Sequence, residues 1–341
     1  MKRFTNQSLK TYNTFGIDAV AGDLLEVERA DELFELYQEG FFQNEYVLIG
    51  GGSDILFTNE VIPSVLTLRT GTIAITEDMS DYVIVTADGG VEWETFVQFC
   101  VDHNLGGVEN LSLIPGSVGA SVVQNIGAYG VEVKDVTVSV EYFDIIEGTF
   151  NTLTNEACCF AYRTSVFKKD LHGRAIVTRV SYKLMKQHSL NLEYADVLNY
   201  IEVKGMAREL LTIGDIREMI CEIRRSKLPH PQEIGNAGSF FKNPIITLEQ
   251  FEILAKDYPA LKPNPVDDHH VKVSAAFLID SCGWKGWTAE NGRYGVSEKH
   301  ALVLVNYGGA TGKEIAGLAE NIQASVKEKF GIEMQPEVVY V

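Results

Sequence analysis

Between residues 107 and 130 the apolar periodicity seen on either side breaks down, and glycine recurs at positions 107, 116, 119, 127 and 130 with Pro115 among small polar residues. The stretch holds Ile114-Pro115-Gly116-Ser117-Val118-Gly119-Ala120 and Gln124-Asn125-Ile126-Gly127-Ala128-Tyr129-Gly130. Small residues, amide side chains and one aromatic share a single loop, far more than the few residues a turn needs. Backbone this bare exists where something must lie close against it, and a large flat polar ligand explains the excess.

Composition bounds the rest. With 45% hydrophobic and 22% charged residues in 341, the chain is too apolar for disorder and long enough for two or three domains with a cleft. Its 29 Lys and Arg against 47 Asp and Glu leave a net charge of −18. That excludes the broad basic face a nucleic-acid partner requires and a polybasic membrane anchor, while a cleft can still focus a local positive field. No apolar segment follows Met1-Lys2-Arg3, and runs such as Ala301–Val305 fall far short of the ~18 residues of a membrane span. A cytoplasmic protein is expected. The five cysteines, 100, 158, 159, 221 and 282, show no C-x-x-C and no histidine at ligand spacing, so reduced thiols and no metal are expected. Cys158-Cys159 reads as packing, His269-His270 as surface, and Trp284 and Trp287 as packing residues.

The periodic segments alternate between helix and strand. Leu33, Phe34, Leu36 and Tyr37 predict a helix over 31–39 closed by Gly40. Strands follow at Tyr46–Ile49, Val61–Leu68 and Tyr82–Ala87, then a helix over 91–103 carrying Trp93, Phe96, Val97, Cys100 and Val101. Val131–Phe143 and Ala175–Leu184 read as strands. Asp215 with Glu218 predicts a capped helix start, and Ile216, Met219, Ile220 and Ile223 form its stripe. That helix ends in Arg224-Arg225-Ser226-Lys227, where each cation can gain ~0.3–1 kcal/mol against the helix dipole. A last helix runs from Thr311 and Glu314 through Ile315, Leu318, Ala319, Ile322 and Val326 to Gly331, before a closing strand Glu337–Val341. The texture is α+β or mixed α/β.

Two further segments carry chemistry. Gly50-Gly51-Gly52-Ser53-Asp54 follows a strand directly, so its N–H groups can converge on an anion; a plain tight turn accounts for it equally well. No Gly-Lys-Ser/Thr follows, and the next segment reads as strand, so neither a Walker loop nor a Rossmann fingerprint fits. Gly235-Asn236-Ala237-Gly238-Ser239-Phe240-Phe241-Lys242-Asn243-Pro244 presents a serine among small residues without the G-x-S-x-G of a hydrolase elbow. Such a hydroxyl can serve as a proton donor if positive charge lies near it.

These segments, with Asn13-Thr14-Phe15-Gly16, Ala161-Tyr162-Arg163-Thr164-Ser165, Arg224–Pro229, Lys299–Asn306 and Gln335-Pro336-Glu337, resemble the UDP-N-acetylenolpyruvoylglucosamine reductases, in the family's order and over nearly the full length. Tyr194-Ala195-Asp196-Val197 resembles the tyrosine-bearing substrate loop of the family's longer type. Asp54 stands where Asn is usual, Val122 where proline is common, and His230 where Asp usually sits.

The resemblance implies an α+β architecture: a two-subdomain FAD-binding fold of the vanillyl-alcohol-oxidase/PCMH type and a C-terminal α+β substrate-binding domain. Boundaries are expected at 1–70, 71–214 and 215–329, with 330–341 returning to the first subdomain. FAD would lie on Gly50, Gly51, Gly52, Ser53, Asp54, Ile114, Pro115, Gly116, Ser117, Gly119, Ala120, Gln124, Asn125, Gly127 and Ala128. It would carry hydride from NADPH to the enolpyruvyl carbon of a UDP-linked amino sugar, both using one cleft. Arg163 and Glu337 would stabilise the enolate-like state, the latter if burial keeps it protonated, and Ser239 would deliver the proton. Tyr129, Tyr162, Tyr194, Lys227 and Asn243 would bind the substrate, and Arg225 fits a ligand role or the dipole role equally. A monomer is expected. The rivals are a flavin oxidase of the same superfamily, whose tethering His or Cys the glycine loop lacks, and a non-catalytic nucleotide-binding module.

Overall fold

Val83, Val85 and Ala87 alternate with Tyr82, Ile84, Thr86 and Asp88, and the strand Tyr82–Asp88 buries only the first set. It lies in a five-stranded antiparallel sheet ordered Thr149–Thr154, Thr137–Asp144, Ala175–Met185, Tyr82–Asp88, Ile73–Asp78. The helix Trp93–Asp102 turns Trp93, Phe96, Val97 and Cys100 into its core, where Phe96 and Tyr182 meet at 4.5 Å between ring centroids. A four-stranded sheet, ordered Lys2–Ser8, Val20–Val27, Val61–Leu68, Val47–Ile49, ends in a parallel pair. The helix Glu32–Gln38 closes a core of Leu25, Val27, Leu33, Leu36 and Leu66 with Phe143 and Ile176 of the larger sheet and Ile145 of the turn after Thr137–Asp144.

The computed structural model describes residues 1–341, divided into two units. The first comprises Met1–Gln7, Ala21–Gly51 and Ile62–Arg225, and holds the two sheets above. The second comprises Ser8–Val20, Gly52–Val61 and Ser226–Val341. Within it lie two three-stranded sheets, Gly235–Asn236, Leu304–Asn306, Tyr294–Val296 and Ile245–Thr247, His270–Val273, Pro263–Pro265, and a parallel pair of Ile55–Leu56 with Val339–Tyr340. The helix Gly312–Phe330 buries the expected stripe, with Thr311 and Glu314 capping its start reciprocally and Gly331 in the left-handed region at its end. No helix is long and apolar enough to cross a membrane.

Four local expectations need correction. The helix expected from Asp215 spans Ile213–Lys227, and its cap is Thr212: the Thr212 Oγ1 accepts from the Asp215 N–H at 3.2 Å, while the Asp215 carboxylate accepts the Thr212 N–H at 2.8 Å. Asp215 is thus the third-residue partner, and Glu218 is too far along to reach the orphan donors. Val131–Phe143 is not one strand. Glu132 and Asp135 cap a single turn at Val133–Asp135 that interrupts it, and the long strand starts at Thr137. The bare stretch after Ile114 contains a short helix, Val118–Val123, whose start Ser117 caps by accepting from the Ala120 N–H. In the cysteine pair only Cys158 is buried, its thiol pushed up to about 12 by desolvation, while Cys159 is exposed.

Removing the reciprocal cap of the last helix should cost about 1 kcal/mol. Thr311→Ala is therefore expected to lower the urea midpoint with an unchanged m-value, and an unchanged midpoint would show the box to be ornamental.

Candidate active site

In the first unit the two glycine loops meet backbone to backbone. A Cβ on Gly51 would stand 2.6 Å from the Gly116 Cα, and one on Gly50 would stand 2.7 Å from the Ser117 Oγ and 3.1 Å from the Ala120 Cβ. The short helix behind them is pinned by the Val118 N–H on Val91 O at 2.8 Å and the Gly119 N–H on Gly89 O at 2.9 Å. The N–H groups of Gly51, Gly116 and Ser117 donate to no protein acceptor. Bare backbone with unspent donors suits an extended anionic cofactor.

The loop that follows is stitched to the turn 161–165. Asn125 is fully buried, its Nδ2 donating to Ala161 O at 3.1 Å and its Oδ1 accepting from the Lys134 N–H at 3.1 Å, so its amide is committed to protein. Ser165 Oγ donates to Val123 O at 2.6 Å, and Lys168 reaches the Gln124 Oε1 at 3.4 Å. Arg163 donates through Nη2 to Gly127 O at 2.7 Å, and its guanidinium stands 5.4 Å from the Tyr162 ring centroid. Leu113, Asn125, Tyr129 and Arg163 all have positive φ, between 47° and 57°. Each such conformation costs roughly 1–3 kcal/mol, so the surrounding contacts must over-determine them.

Tyr129 and Tyr194 meet edge to face, ring centroids 5.3 Å apart. The Arg224 guanidinium lies beside the Tyr129 hydroxyl, and desolvation nonetheless pushes that phenol up to about 12. Burial also raises Tyr194, so both are neutral hydrogen-bonding phenols at physiological pH. The sequence reading missed Arg224 as a site group. The signal was present, since the stripe of the helix Ile213–Lys227, extended four residues from Ile220 and from Ile223, lands on Arg224 and Lys227. Arg225 is exposed and Lys227 half-buried.

In the second unit, Ser239 and Glu337 lie on neighbouring segments. The Glu337 N–H donates to Phe240 O at 2.8 Å, the Lys242 N–H to Gln335 O at 3.0 Å, and Phe241 bridges Pro336 in antiparallel fashion. Phe240 and Phe241 are buried and hold the segment, leaving Ser239 exposed and Glu337 half-buried. Asn236 braces the approach, accepting from the Gly238 N–H at 2.9 Å and donating to Pro229 O and Ile234 O. The Asn243 Oδ1 accepts from the Ala275 N–H at 2.9 Å, leaving its Nδ2 as the end able to reach a ligand. Gly52 packs where a Cβ would be 1.9 Å from Tyr12 O, and Asp54 O accepts from the Val339 N–H at 3.0 Å. His230 receives the Gln232 N–H on Nδ1 at 3.3 Å, as a carboxylate there would. Val122 is fully buried in the core of the first unit. Trp284 and Trp287 meet edge to face at 5.3 Å, and His270 pairs with Asp267 at 2.9 Å on the surface.

Residues 31–154 match an FAD binding domain, and residues 230–341 match the C-terminal domain of UDP-N-acetylenolpyruvoylglucosamine reductase. A UDP-N-acetylenolpyruvoylglucosamine reductase of Bacteroides fragilis is 44% identical over 335 residues, covering 98% of both chains. That of Pseudomonas aeruginosa is 44% identical over 333 residues, covering 97% of this chain and 96% of its own. The chain belongs to the UDP-N-acetylenolpyruvoylglucosamine reductase family. The crystal structure of the Thermus caldophilus reductase aligns with a TM-score of 0.65 at 25% identity, over 99% of this chain and 98% of that one. The protein is thus an FAD-binding oxidoreductase of peptidoglycan precursor synthesis, with the expected FAD-binding fold followed by the family's C-terminal domain. The bare backbone where Gly50 and Gly51 meet Gly116–Ala120 fits that cofactor.

Gly51→Ala should abolish or greatly weaken FAD retention through purification, because the added methyl collides with backbone. Gly71→Ala, where nothing lies within 4 Å, should keep its visible flavin absorbance. Equal flavin content in the two variants would show that the close approach does not form the cofactor cradle.

Proposed function

We propose that the chain reduces UDP-N-acetylglucosamine enolpyruvate to UDP-N-acetylmuramate at the expense of NADPH. The observation that carries this reading is the 44% identity across 98% of both chains to a reductase of that name. FAD, when bound, supplies the two-electron transfer between NADPH and the enolpyruvyl group.

The protein's own residues then manage charge and protons. Hydride addition to the vinyl carbon drives charge into the substrate carboxylate, and Arg163 meets it with a permanent planar cation. Its anchor on Gly127 O holds the guanidinium in place before the charge develops, which is what makes such a donor effective. Glu337, in its protonated form, completes the grip by donating a hydrogen bond to the carboxylate. Ser239 gives its proton to the carbon adjacent to the one that received hydride, so the product carries one new C–H bond at each carbon. Exposure of Ser239 beside the Glu337 segment is consistent with that task. Lys227 and Asn243 bind the diphosphate and sugar, with Tyr129, Tyr162 and Tyr194 as further contacts. We take Tyr194, which stands at the start of the helix Ala195–Lys204 rather than within a loop, as the substrate tyrosine of the family's longer type. We take Gly50–Asp54 and Ile114–Ala128 as the cofactor loops and 1–70, 71–214 and 215–329 as the functional divisions, with 330–341 returning to the first; the pairing of Val339–Tyr340 with Ile55–Leu56 supports that return. The enzyme works as a monomer in the cytoplasm.

Stopped-flow mixing of NADPH-reduced enzyme with the sugar nucleotide under argon tests the reading; a flavin that stays reduced overturns it. Ser239→Ala should leave reduction by NADPH intact and slow reoxidation by about 10²–10⁴-fold, the usual contribution of a general acid. Equal losses in both half-reactions would remove its proton-donor role. Arg163→Lys should slow the same step about 10²–10³-fold, because a point charge replaces a fork. Normal turnover in that variant would take the arginine out of the chemistry.

A further inference from the structure

Asn110 lies in the turn Glu109–Leu111 and is 1% exposed. Its Nδ2 donates to two carbonyls from separate stretches of chain, Tyr129 O and Asn191 O, each at 3.0 Å. Asn191 in turn donates from its own Nδ2 to Gly130 O, also at 3.0 Å. One buried amide thereby clips the end of the glycine loop to the segment leading into Tyr194. The turn that carries it is itself fixed, with the Glu109 carboxylate accepting from the Gly107 N–H at 2.7 Å and the Ser112 hydroxyl donating to Glu109 O at 2.7 Å.

The Asn110 Oδ1 is buried with no donor facing it. A bare buried acceptor is a cost that an apolar side chain would avoid. What an apolar side chain cannot do is offer two protons to two carbonyls at once, so the position is explained by its NH₂ group. Both carbonyls belong to strands of chain that bear on the same pair of rings. Tyr129 is held at φ +49°, a conformation a bulky residue rarely adopts, and its ring meets that of Tyr194. Tyr129, Leu190 and Leu192 pack on the cluster of Val197, Ile201, Ile216, Met219, Ile220 and Ile223, so a shift at Asn191 moves the whole approach to Tyr194.

We infer that Asn110 is a positioning residue that sets the Tyr129–Tyr194 pair for the sugar nucleotide. The inference rests on the proposed function and goes beyond it, since Asn110 touches neither substrate nor cofactor in that scheme. Asn110→Asp keeps the shape and, as the neutral acid that burial favours, offers one O–H where two N–H protons stood, so one of the two carbonyls loses its donor. FAD content and flavin reduction by NADPH should match the parent enzyme. In reoxidation by UDP-N-acetylglucosamine enolpyruvate, the half-saturating concentration should rise about tenfold, the equivalent of one or two ordinary hydrogen bonds, while the limiting rate changes little.

A purely structural defect would not respect the identity of the tyrosine. In a Tyr194→Ala background, Asn110→Asp should therefore add nothing to the loss already present. Additive losses, or an unchanged half-saturation in Asn110→Asp alone, overturn the inference. If that variant fails to retain FAD, Asn191→Asp reads the same clip, because it keeps the Asn191 carbonyl and loses only the donor to Gly130 O; additivity with Tyr194→Ala there is equally fatal. A parent enzyme that the sugar nucleotide cannot reoxidise overturns the functional reading and the inference with it, and is recognised by that outcome in the absence of any substitution.

Discussion

Four carbonyls of the loop between Val123 and Gly130 end on side-chain donors reaching in from elsewhere in the first unit. Ser165 takes Val123 O, Arg163 takes Gly127 O, Asn110 takes Tyr129 O and Asn191 takes Gly130 O. An ordinary surface loop leaves such groups to water and moves accordingly. Here the acceptors are spent on fixed partners, and the positive φ of Asn125 and Tyr129 is the local cost. Loop backbone held in this way can face a flat ligand without reorganising when the ligand arrives. The chemistry proposed for Arg163 depends on the same stitching, because the bond that steadies the loop also aims the guanidinium.

The first unit supplies the stiffness behind that loop. Its five-stranded sheet and the helix Trp93–Asp102 enclose a continuous aromatic and aliphatic core reaching Val118, Val122 and Ile126 beneath the loop. Glu94, on the solvent side of that helix, accepts the Leu113 N–H at 2.6 Å and pairs with Arg217, tying the helix Ile213–Lys227 to the loop's entrance. Charge is arranged against the overall balance. In a chain of net charge −18, the helix Ile213–Lys227 turns Arg224 inward beside Tyr129, and desolvation lowers the affinity of that guanidinium for its proton without discharging it. A permanent cation in a poorly screened place acts far more strongly on an anion than one on the surface.

Much of this was legible from residues. The stripe Ile315, Leu318, Ala319, Ile322, Val326 and the pair Thr311 and Glu314 foretell a helix and its start, because both depend on neighbours three and four residues away. Alternation in 82–88 foretells a strand for the same local reason. Small residues carry no periodicity, so the helix Val118–Val123 was hidden inside a run that reads as loop. Asp215 offered a plausible cap, but Thr212 stood three residues earlier with a partner at the right distance, and two candidate boxes cannot both occupy one helix end. Arg224 was hidden by its company, since three cations at a helix terminus already have an explanation in the dipole.

Bare glycine at 50, 51 and 116, the capping chemistry, and the order of motifs that marks the family are properties of the chain read in one dimension. Sequence alone therefore determined that a flavin fold and its reductase chemistry belong here. Only the folded chain decided which carbonyl each side chain would find. Asn110 reaches partners 19 and 81 residues away, and Arg163 reaches one 36 residues away. A hydrogen bond forms or fails over a few tenths of an ångström in space, a distance to which spacing along the chain gives no access once the sheet has closed.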